Sequence, residues 1–129
     1  MAQAVEVPAA LVQPLRETVL LLYRAALEAL QGAFEDEREA LAQRERVRRL
    51  DALLDQLGWP GPPRGGAEPL RLTGPPELLR DALHGALIDA GERLAVACAA
   101  SWRGDASEDS VRSAAREVIE LDRLLRELG

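Results

Sequence analysis

Apolar residues recur at helical spacing in four segments of the chain. The first spans residues 9–34 and puts Val12, Val19, Tyr23, Leu27, Leu30 and Phe34 on one face. Pro8 and Pro14 lie at or near its start, where Pro is tolerated in a first turn, and Pro14 sets the start of the regular helix at about Gln13. Gly32 and the Glu35-Asp36-Glu37 stretch weaken the pattern and predict a break or kink near 33–38, with a continuous helix as the alternative. The second segment, 38–57, carries Ala40, Val47, Leu50, Leu54 and Leu57. Its end is well marked. Gly58 can take the left-handed conformation, Trp59 falls where a Schellman cap wants an apolar contact with Leu54, and Pro60 prevents continuation.

The third segment, 76–102, opens on Gly74-Pro75-Pro76-Glu77 and stops at Gly104. Its stripe is Leu79, Leu83, Ala86, Leu87, Ala90, Leu94 and Ala97. The fourth, 107–128, opens with Asp105 and Glu108 as a capping-box variant, or with Ser107 as the cap. Its seam is Val111, Ala114, Val118, Leu121, Leu125 and Leu128, the spacing of a bundle helix packed at a shallow angle.

Residues 59–75 form the one long connection. They are dense in Pro and Gly and cannot be helical. Fully extended they reach roughly 55 Å at about 3.3 Å per residue, enough to return the chain to the opposite end of a bundle. Leu70 and Leu72 alternate with Arg71, which predicts a short extended piece against the helices. Residues 47–58 (VRRLDALLDQLG) and 118–129 (VIELDRLLRELG) share the pattern V-x-x-L-D-x-L-L-x-x-L-G. These features define an all-α, four-helix bundle as a single domain over 1–129. The repeat reads either as two related α-hairpins joined by the Pro/Gly-rich crossover or as shared helix-end grammar in a Leu-rich chain.

The first helix is too apolar for one wet face. Across 18–34 only Arg24, Glu28 and Gln31 are strongly polar, and the apolar arc covers roughly 220° at about 100° per residue, where a surface helix needs roughly 100°. Leu21 stands apart, near the polar stripe. Such a helix is either central in the fold or part of a twofold dimer seam. Leu15, Val19, Leu22, Tyr23, Ala26, Leu27, Ala29 and Leu30 are the interface candidates, and a homodimer or another protein partner is the expectation.

Composition removes most other chemistries. Of 129 residues none is Lys or Asn, all 16 basic residues are Arg, and His, Cys, Met, Phe and Tyr occur once each. Leu and Ala supply about a third of the chain. A net charge of −6 and a pI near 4.9 argue against a phosphate-binding face, which is ordinarily basic. The Arg44, Arg46, Arg48 and Arg49 cluster is balanced by acids over 35–49, so no nucleic-acid partner is expected. The longest apolar run, Val19–Tyr23, is far short of the roughly 20 residues that span a bilayer, so no membrane partner is expected. Met1–Pro8 has no basic region of a signal peptide, and a lone Cys98 suits a reducing cytoplasm. The expected location is therefore cytoplasmic.

Candidate sites have bland alternatives that fit better. His84, three residues after Asp81, has no Glu-x-x-His context for a bundle metal site and sits at the edge of a stripe beside Arg80 and Ile88. Cys98 lacks a local base to make thiolate and reads as a small core residue. Gly65-Gly66 has neither the Lys nor the preceding strand of a phosphate loop. Pro60–Arg64 could form a polyproline II segment but reads as a stiff spacer. No catalytic residue, metal or cofactor is assigned.

The scarce residues are those with AT-rich codons, which points to a high-GC genome. The stretches V-E-V-P-A-A-L-V-Q-P-L-R (5–16) and L-L-D-Q-L-G-W (53–59) resemble small helical proteins of high-GC actinobacteria, a resemblance that implies no activity. The expectation is a non-enzymatic helical-bundle protein acting through self-association or a protein partner. The alternative is a small-ligand or metal-dependent helical-bundle enzyme, which would need convergent polar residues inside.

Overall fold

The computed structural model describes residues 2–33, 35–62 and 67–129. Phe34, placed on the first apolar stripe, and the Gly65-Gly66 pair lie outside the described residues, as does part of the Pro60–Arg64 segment. The order of elements is β1 (Gln3–Val7), α1 (Ala9–Gly32), α2 (Glu37–Leu57), β2 (Leu70–Gly74), α3 (Pro76–Trp102) and α4 (Glu108–Leu128). The chain is predominantly helical, but the all-α expectation misses a small sheet. β1 and β2 pair antiparallel, with Val5 opposite Leu72. Both strands alternate at period two, burying Val5, Val7 and Leu72 while Glu6, Arg71 and Thr73 face solvent.

The sheet explains the long connection. Gln56, near the end of α2, donates from Nε2 to the Thr73 carbonyl and accepts from the Thr73 N–H at its Oε1, both at 2.8 Å. The end of β2 therefore lies beside the end of α2. The chain does not return to the opposite end of the helices; its reach is spent on bringing β2 alongside β1.

Helix ends follow local chemistry. Asp36 caps α2, accepting from the N–H groups of Arg38 and Glu39 at 3.0 and 3.2 Å. α1 and α2 are thus two helices, divided at 33–36. Gly58 (φ 102°) closes α2 as a Schellman motif, with Trp59 N–H donating to the Leu54 carbonyl at 3.0 Å. Gly104 (φ 78°) does the same for α3, where Asp105 N–H donates to the Ala100 carbonyl at 2.8 Å. Two details differ from the sequence reading. Ser107, not Asp105, caps α4, accepting from Ser110 N–H at 3.3 Å, because Asp105 is used in the Schellman turn and in an ion pair with Arg103. α1 starts at Ala9, as the first segment did, but it is regular from there and carries Pro14 inside it, where a start of the regular helix at about Gln13 was expected. Ala10, whose carbonyl loses its usual partner there, is exposed to water.

The core gathers at the sheet end of the helices. Leu11, Val12, Leu15 and Val19 of α1 meet Leu50, Leu53, Leu54 and Leu57 of α2, the first half of α3, and Leu121, Leu124 and Leu128 of α4. α2 packs against β2 and α4 against β1, while α1 touches α3. In α4 the buried position is Leu124, and Leu125 of the expected seam is half-exposed. The shared pattern buries matching residues: Leu50 and Leu121, Leu53 and Leu124, Leu57 and Leu128. Away from the sheet the two helical hairpins thin into arms. Among the described residues of α1 and α2 between Leu27 and Arg49, only Ala33 is fully buried, and between Gly91 and Glu120 none is.

Candidate interaction surface

The interior is almost wholly apolar. Thr18 is the one buried polar residue among those described, and its hydroxyl donates to the Pro14 carbonyl at 3.1 Å. No buried side-chain polar atom among the described residues lacks a partner. Among the described residues no three His, Cys, Asp or Glu side chains group to hold a metal ion. His84 is exposed. Cys98 is not core, as its place in the stripe suggested, but half-buried. It lines an open cleft of about 420 Å³ at the α3–α4 tip with Trp102, Val111 and Arg112. The reason is the thinning of that arm: α4 alone covers α3 at this level.

A larger open cleft, about 650 Å³, lies between α1 and α2 at their tip and is lined by Leu30, Ala33, Ala40, Leu41, Glu37 and Arg44. Its charged lining residues among those described are Glu37 and Arg44. The rest of the Arg cluster is engaged: Arg48 and Arg49 pair with Glu45, and Arg46 reaches Asp81 of α3 at 3.5 Å. The surface pairs are worth little individually. Arg123 is held by Glu120 at 2.6 Å and Glu127 at 2.7 Å. The hydrogen bond and charge of Glu120, then those of Glu127, raise the pKa of its guanidinium above the ordinary value.

The interface candidates of α1 divide in two. Leu15, Val19 and Ala26 are 0%, 0% and 3% exposed and belong to the chain's own core, so they offer no surface to a partner. The first helix is thus partly central, as one of its two readings had it. Leu22, Tyr23, Leu27, Ala29 and Leu30 remain half-exposed. Tyr23 leans on Trp59, with ring centroids 6.2 Å apart.

Among the described residues the large apolar side chains that stand in solvent are Leu21, Leu41, Ile88, Val96, Trp102 and Ile119. Sequence reasoning set Leu21 near the polar stripe and Ile88 beside His84 at the edge of one, and the other four fall outside the apolar stripes read from the sequence. Among the described residues no helix is long and apolar enough to cross a membrane. The chain matches no family model, no curated protein and no solved structure.

Proposed function

We propose that the protein is a non-enzymatic interaction module that works by self-association, forming a homodimer. The observation that carries this reading is its surface. The chain exposes 8209 Å², about 1,500 Å² more than the roughly 6,700 Å² expected of a compact monomer of 14.0 kDa. A standard interface takes about 800 Å² from each partner. Among the described residues it includes six large apolar side chains in solvent.

The competing class is a bundle enzyme for a small ligand. It draws no support from the interior, whose only buried polar residue among those described is a Thr bonded to its own helix. Sedimentation equilibrium at micromolar concentration decides the matter. The expected mass is twice 14.0 kDa. A 14.0 kDa species at all concentrations defeats the homodimer reading.

A further inference from the structure

We draw no further inference here: the strongest candidate, the open cleft between α1 and α2 at their tip, lined by Leu30, Ala33, Ala40 and Leu41, carries nothing because its charged lining residues, Glu37 and Arg44, balance each other and nothing in the structure shows what covers it.

Discussion

Gln56 does with one side chain what a third strand would do for β2. Its amide donates to the carbonyl and accepts from the N–H of Thr73 on the strand edge facing away from β1, so part of an open edge is closed. The amide supplies both the donor and the acceptor that this needs. At the corresponding place in α4 stands Glu127, which cannot donate as a carboxylate and bonds Arg123 instead. Gln56→Glu keeps the acceptor, loses the donor and points a negative oxygen at the Thr73 carbonyl. The expected loss is about 1–2 kcal/mol by urea unfolding. The deficit should narrow as pH falls through about 4, where a protonated Glu regains a donor. A variant as stable as wild type at pH 7 would mean that the clamp contributes nothing.

At the scale of elements, the meeting of α1 and α3 depends on one missing Cβ. Gly85 lies inside a long helix, where Gly is worse than Ala by about 1 kcal/mol, and the structure shows why it is there: a Cβ at this position would lie 2.8 Å from Thr18 Cγ2. Its neighbour Thr18 is fixed by the bond from its hydroxyl to the Pro14 carbonyl, so Cγ2 cannot swing away without breaking that bond. Gly85→Ala is expected to destabilise by about 1–2 kcal/mol net, the overpacking cost exceeding the gain in helix propensity. In a Thr18→Ser background, which lacks Cγ2, the same change should be neutral or stabilising. Additive effects in that double-mutant cycle would show that the two residues do not touch in solution. The same elements mark what could be read from sequence. Helix ends were legible because their signals are local: Pro75-Pro76 opens α3 and Gly58 closes α2. The seam of α4 was legible except at Leu124 and Leu125, where two adjacent Leu residues fit the period almost equally. The sheet was not legible as a pair. Val5-Glu6-Val7 alternates over three residues only, and its partner lies 67 positions away, a relation fixed by packing. Of the surface, helix one was rightly marked as too apolar. Its candidates still split between core and surface, because burial depends on where α3 crosses it.

For the whole molecule, the uneven core implies uneven stability. Strongly buried side chains cluster at the sheet end, and the arms beyond Ala26 and Ala90 are two-helix hairpins with half-exposed apolar faces. An isolated pair of helices buries too little to hold a uniform barrier against opening, so local unfolding should begin at the tips. Amide hydrogen exchange at concentrations well below dimer dissociation should show a gradient. Residues 50–57, 78–90 and 121–128 are expected to exchange only through global unfolding, and 37–46 and 95–115 faster by at least tenfold. Raising the concentration into the dimer range then separates two ways of self-association. Docking near the sheet end of the helices leaves the tips fast. If the tips slow instead, the arms themselves are the seam, and the half-exposed Leu27 and Leu30 of α1 become the residues to substitute.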